Sequence, residues 1–197
     1  WDDHTLLLYM LDASGHGVAP ALRAASLSTF LRPDNLQHYM TSGNAADILA
    51  EANLRYPLTE EGSYFTIWVG VYDCRTSQLR YSTAGHGGAL IQRQDSAVTW
   101  LTRSQLPLGF EPDSTYEINT VQIEAGDRVV LMSDGIYEAP APTGELWGTA
   151  RLEATLKTYR SSPLGEALPA LMAEAERWHG APVFPDDAAL LGLEFRI

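Results

Sequence analysis

The chain is short of basic residues and nearly devoid of cysteine. Among 197 residues, 13 Lys and Arg stand against 25 Asp and Glu, a formal net charge of −12. So acidic a chain lacks the cationic surface that binds phosphate backbones, which argues against a nucleic-acid partner. Cys74 is the single cysteine. No intrachain disulfide can form, and a reducing, cytoplasmic setting is expected. No apolar run approaches the roughly 20 residues of a membrane span, so no membrane contact is expected of this domain. No basic stretch followed by an apolar one marks a signal peptide. The chain opens Trp1-Asp2-Asp3-His4 without Met and reads as a domain cut from a longer protein. What is present, 45% hydrophobic and 19% charged residues, is the composition of one globular domain with a hydrophobic core. If such a protein acts on an anion, positive charge must come from outside the chain, and a metal ion is the simplest source.

Hydrophobic spacing supplies the elements. Thr5 to Leu11 is an almost wholly apolar run, expected as a strand buried on both faces. The small-residue turn Asp12-Ala13-Ser14-Gly15-His16-Gly17 follows. Helical spacing predicts a helix over Val18–Leu31, closed by Pro33, and another over Asn44–Tyr56 with Asn44 as its cap. The period then switches to strands over Tyr64–Tyr72, Gln78–Ser82, Gly87–Gln92, Val98–Leu101, Tyr116–Ile123 and Arg128–Met132, read as an antiparallel meander. Arg151–Tyr159 and Pro163–Trp178 read as helices, and Ala188–Ile197 as a final strand. Two helix pairs with strands between them predict one α/β (α+β) domain, residues 1–197, whose sheets are covered by helices.

Three acidic turns share one form. Asp12 follows TLLLYML, Asp134 follows RVVLMS, and Asp186-Asp187 precedes AALLGLEF. Each sets a carboxylate at the end of an apolar strand. Any one of them is an ordinary turn residue, since Asp and Gly satisfy turn geometry locally. Together they suggest carboxylates gathered around divalent cations, because ionised carboxylates crowd one another unless cations lie between them. An all-oxygen donor set without clustered His or Cys selects Mg²⁺ or Mn²⁺ over Zn²⁺. Two such ions activate a water and neutralise a phosphate together.

The joint pattern resembles a known family. Asp12-Ala13-Ser14-Gly15-His16-Gly17 is similar to the D-x-S-G-H-G motif of the SpoIIE-like bacterial branch of the PPM (type 2C) metal-dependent serine/threonine protein phosphatases. Leu79 to His86 resembles its L-x-Y-x-x-A-G-H segment, and Pro107-Leu108-Gly109 its P-L-G. Glu124 to Glu138 resembles its G-D … [TS]-D-G-[VI]-x-E block, and Asp186 to Leu191 its closing D-D-x-[TS]-l-l. These blocks stand in the family's order along nearly the whole chain.

The resemblance implies a four-layer α-β-β-α sandwich, mainly antiparallel sheets flanked by helix pairs, with two Mn²⁺ or Mg²⁺ ions. It implies Asp12, Asp134 and Asp186 as the catalytic metal ligands and the Ala13 carbonyl as a further ligand. Asp187 is a weaker candidate, since the family's ligand is the first Asp of the closing pair. Gly15, His16, His86 and Gly135 are implied as support or substrate contacts. For His86, structural support and substrate contact stay open. The implied reaction is attack of a metal-activated water on a phosphoserine or phosphothreonine protein, typically a phosphorylated anti-sigma-factor antagonist. The implied neighbour is an N-terminal sensor or receiver domain of a bacterial signalling protein, and a homodimer is left open.

The chain departs from the family at one point. A G-D-[FWY]-x-D segment with a further metal-binding Asp precedes the first block in the family and is missing here. The expectation is a domain truncated at its N-terminus, with a catalytically silent regulatory or binding domain as the alternative. Elsewhere the sequence is quieter. Ser14 lacks the Gly two residues before it that a hydrolase elbow needs. His4, His38 and His179 are expected at the surface, Cys74 as an unpartnered thiol, and Trp68, Trp100, Trp147 and Trp178 as packing residues.

Overall fold

A computed structural model describes residues 4–15, 17–32, 34–36, 44–60, 62–181 and 183–196. The chain divides into two compact units, residues 1–87 with 102–123 and residues 88–101 with 124–197. Each unit holds a four-stranded antiparallel sheet and a pair of helices of at least eleven residues.

In the first unit the strands are β1 (Thr5–Ala13), β2 (Phe65–Asp73), β3 (Gln78–Ala84) and β6 (Asn119–Gln122), in the order β1-β2-β3-β6. β1 runs antiparallel to β2 over its whole length, Thr5 opposite Asp73 and Ala13 opposite Phe65. Helices α1 (Val18–Phe30) and α2 (Ala45–Arg55) cover this sheet. Phe65, Ile67, Val69 and Val71 alternate along β2 and share a core with Leu27, Phe30, Ile48, Leu49 and Ala52 of the helices. The predicted cap of α2 is present, the Asn44 Oδ1 accepting from the Ala46 N–H at 3.0 Å. Alternate residues point to the opposite face, where Trp68 stacks on Tyr81 with ring centroids 5.7 Å apart.

In the second unit the strands are β4 (Ala89–Gln92), β5 (Val98–Trp100), β7 (Arg128–Met132) and β8 (Leu190–Glu194), in the order β5-β4-β7-β8. A one-turn helix, α3 (Asp134–Tyr137), follows β7, and α4 (Gly148–Thr158) and α5 (Leu164–His179) cover the sheet. Leu90, Val130 and Met132 pack with Trp147, Leu152, Leu156, Leu171 and Ala175. At the end of the sheet where β7 begins, Arg128 is buried and pairs with Glu194 at 2.7 Å, holding that carboxyl below the usual carboxylate range.

Two readings change. β1 is not buried on both faces: only Leu8 of its nine residues is fully buried, because β1 is an edge strand. The strands between the helix pairs are not a simple meander. β3 turns to β6, some 35 residues on, and β7 enters between β4 and β8. Pro33 and His38 lie outside the described residues.

One buried polar side chain organises the long loop before β6. Asn53 of α2 accepts from the Gly109 N–H at 2.7 Å and the Tyr116 hydroxyl at 3.1 Å. Its amide donates to the carbonyls of Glu111 and Pro112. Removing a side chain that satisfies the buried Gly109 N–H and Tyr116 hydroxyl and two part-buried carbonyls leaves them unpaired, so Asn53→Ala is expected to cost about 3 kcal/mol in urea denaturation. The capping change Asn44→Ala should cost only ~1 kcal/mol. Equal losses would contradict this account of the loop.

Candidate active site

Pairing of β7 with β8 continues one step past the sheet, where Ser133 N–H donates to the Ala189 carbonyl at 3.0 Å. The buried Ser133 hydroxyl then ties the strand ends together. It donates to the Asp187 carbonyl at 2.7 Å and accepts from the Ala189 N–H at 2.8 Å. This seats the 186–187 turn against the first turn of α3. The approach is close: a Cβ on Gly135 would lie 2.4 Å from the Asp187 carbonyl oxygen and 3.2 Å from the Asp186 carbonyl carbon. Asp186 folds one carboxylate oxygen back onto the Asp187 N–H at 2.8 Å.

The second unit thus brings together four of the expected residues, Asp134, Gly135, Asp186 and Asp187. It adds one that the sequence placed in a motif block without a role at the site. Glu138 stands one helical turn beyond Asp134, its N–H donating to the Asp134 carbonyl at 2.8 Å. Local desolvation first, then the charges of Asp134 and Asp186, raise the Glu138 carboxyl above its ordinary value. The i, i+4 spacing of two acids, on either side of Gly-Ile-Tyr, was the signal available in the sequence.

In the first unit, Asp12 and Ala13 occupy the last two positions of β1, with Asp12 opposite Thr66 and Ala13 opposite Phe65. The following turn is held to β2 by two bonds. Ser14 N–H donates to the Tyr64 carbonyl at 3.0 Å, and Tyr64 N–H donates to the Ser14 hydroxyl at 2.7 Å. Ser14 is therefore a turn brace. Gly15 and Gly17 adopt φ of 85° and 103°, the left-handed region that side chains resist. His86 is buried, with Nδ1 3.3 Å from the Thr66 hydroxyl and its carbonyl accepting from Thr83 at 2.8 Å. Thr66 thus links His86 to the strand position facing Asp12. His16 lies outside the described residues.

Other expectations resolve away from the acids. Cys74 is exposed and lies 3.5 Å from Nδ1 of His4, so the thiol has a neighbour that spacing did not reveal. His179 is tied to the Pro140 and Val183 carbonyls and packs on Phe184, a bracing role in place of a plain surface one. Trp68 and Trp147 are buried as expected.

The donor chemistry of the acidic group fits a hard divalent cation. Asp134, Glu138 and Asp186 offer only oxygen, and none of the described ion pairs takes up any of them. Among the described residues, no group of three or more His, Cys, Asp or Glu side chains is already closed around a metal position. Asp134 and Asp186 lie within electrostatic reach of Glu138.

Comparison with known proteins identifies the family and the fold. The family model described as Stage II sporulation protein E (SpoIIE) matches residues 2–196. Protein IcfG of Synechocystis sp. (strain ATCC 27184 / PCC 6803 / Kazusa) is 32% identical over 104 residues, 51% of this chain and 16% of that protein. Phosphoserine phosphatase RsbU of Bacillus subtilis (strain 168) is 26% identical over 147 residues, 74% of this chain and 43% of that protein. The chain spans less than half the length of the curated relatives it matches. The solved SiaA-PP2C domain of Pseudomonas aeruginosa superimposes with a TM-score of 0.81 at 22% identity, covering 97% of this chain and 80% of that one. The fold is therefore that of PP2C domains. Solved structures of this fold include one in complex with magnesium.

Two outcomes test the geometry. Ser133→Ala leaves the Asp187 carbonyl and the Ala189 N–H without their partner and should cost about 1–3 kcal/mol in urea denaturation. For Glu138, a folded-state pKa raised above 4.5 means that ionisation opposes folding. Without divalent cations, Glu138→Gln should therefore melt above the parent protein at pH 7. The difference should shrink as pH falls through the raised folded-state value and vanish below about pH 4.5. A difference independent of pH would contradict the reading.

Proposed function

We propose, from the premise that this chain belongs to the SpoIIE family, that it is a metal-dependent phosphoserine/phosphothreonine protein phosphatase domain. The observation that carries this reading is the gathering of Asp134, Glu138 and Asp186 where the closing Asp-Asp turn packs against Gly135. In this reading Asp134 and Asp186 are carboxylate ligands in the second unit, with Asp187 in reserve. Asp12 and the Ala13 carbonyl are ligands in the first. Two Mn²⁺ or Mg²⁺ ions, when bound, supply Lewis acidity toward the phosphate and lower the pKa of a water.

The rest is done by the chain. Ser133 and Gly135 fix the closing Asp-Asp turn against Asp134. Gly15 and Ser14 shape and brace the turn after Asp12, with His16 as turn or ligand support. Thr66 and His86 back the strand on which Asp12 stands. The proposed substrate is a phosphorylated protein of the anti-sigma-factor antagonist type. The proposed setting is cytoplasmic signalling under an N-terminal sensor or receiver domain. The second reading is a catalytically silent domain of the same fold.

One assay separates the two. Phosphate release from a phosphoserine protein should require Mn²⁺ or Mg²⁺ and stop with chelator. Asp12→Asn and Asp134→Asn should each lower it by at least about a hundredfold. Chelator-resistant turnover, or full turnover in either variant, contradicts the phosphatase reading. No release under any metal condition supports the silent domain.

A further inference from the structure

Beside the turn that follows Asp12, the first unit exposes an apolar rim. Leu58, Leu106 and Phe110 are 41%, 43% and 42% exposed. Leu106 and Phe110 flank one loop segment, to which Leu58 is bonded through its backbone, and large apolar side chains exposed together mark an interaction surface. The rim is held in place by a buried scaffold. Leu108, between the two exposed residues of its segment, is fully buried and its N–H donates to the Phe65 carbonyl at 2.9 Å. The Leu58 N–H donates to the Gly109 carbonyl at 3.0 Å, and Asn53 accepts from the Gly109 N–H. Phe110 packs edge-on against Tyr64 with centroids 5.0 Å apart. Tyr64 is the residue that exchanges two hydrogen bonds with Ser14, two positions after Asp12. At the other end of the segment, Pro107 lies against Gly85, next to His86. The rim is thus continuous with the Asp12 turn through Tyr64 and with the His86 turn through Pro107.

We infer that this rim is the docking surface for the polypeptide of the phosphoprotein substrate, and that it selects apolar side chains flanking the phosphoserine. The inference rests on the phosphatase reading of the neighbouring turn. Its argument is one of forces. A phosphate ester gains nothing from leucine and phenylalanine, so the rim serves the chain that carries the phosphate. A phosphoprotein approaching a chain of net charge −12 is not drawn in by long-range attraction. Beyond what bound cations give the phosphate, affinity for the polypeptide then comes from short-range burial of apolar surface. Because the rim is already fixed by backbone bonds, little ordering is required on binding.

The test uses two fluorescein-labelled phosphoserine peptides of equal length and charge. One carries Leu and Val beside the phosphoserine, the other Ser and Gly. Binding is followed by anisotropy in chelator, so no turnover is needed. The parent protein should bind the apolar peptide about tenfold more tightly, the yield of one buried aliphatic side chain. The preference should fall to about one in Leu58→Ser/Phe110→Ser and be reduced in Leu106→Ser. A ratio of two affinities in one protein is insensitive to partial loss of folded material. Equal affinities in the parent protein, or an unchanged preference in the variants, overturn the inference. So does self-association in sedimentation velocity that these substitutions abolish while the peptides bind equally, which assigns the rim to a second copy of the chain. A failed phosphatase reading shows separately, as absent metal-dependent phosphate release with the peptide preference intact.

Discussion

The Asp186–Asp187 turn packs against the start of α3 because residue 135 has no side chain. A methyl group there would meet the Asp187 carbonyl oxygen at 2.4 Å, so the turn would have to move away. With glycine in place, the Ser133 hydroxyl clamps the turn from the strand side. The consequence is electrostatic: Asp134 and Asp186 are held near enough to Glu138 to help raise its carboxyl above the ordinary value. A divalent cation bound among these carboxylates would offset their crowding. Backbone sterics at one position therefore set the chemistry of the acidic group.

The first unit solves a different problem. β1 is an edge strand with one fully buried residue, yet it must deliver Asp12 and Ala13 at a defined position. Its nine-residue register with β2 does this. The Ser14–Tyr64 exchange then fixes the turn beyond the register. The same Tyr64 supports Phe110, so the brace that shapes the turn also places the apolar rim. The buried Asn53 holds the far side of that loop. Position and recognition share one scaffold there, which is why a polar residue on the core face of α2 matters to the surface.

Much of this was legible in residue spacing. The capped helix after Asn44, the strand Arg128–Met132 and both C-terminal helices lie within a few residues of where the pattern put them, because local periodicity and punctuation carry that information. The acid-bearing turns were legible too, since each follows or precedes an apolar run. What was not legible is non-local. No short-range signal says that β3 pairs with β6 across a long excursion, or that β7 lies between β4 and β8. Edge or centre in a sheet decides burial, so the all-apolar β1 was misjudged. Glu138, Thr66 and Ser133 were given no role at the site for a related reason. Their roles come from what stands opposite them, a partner across a ladder or one helical turn away. His4 beside Cys74 is the same lesson at the surface.

The central claim is that the acidic group of the second unit is a binding place for hard divalent cations. The most direct measurement is an anomalous difference map from crystals soaked in manganese. The account predicts a manganese peak with oxygen ligands from Asp134 and Asp186 at about 2.1–2.2 Å, the range for a small hard cation. A map with no anomalous density beside these carboxylates, from crystals that bind manganese elsewhere or not at all, would contradict it.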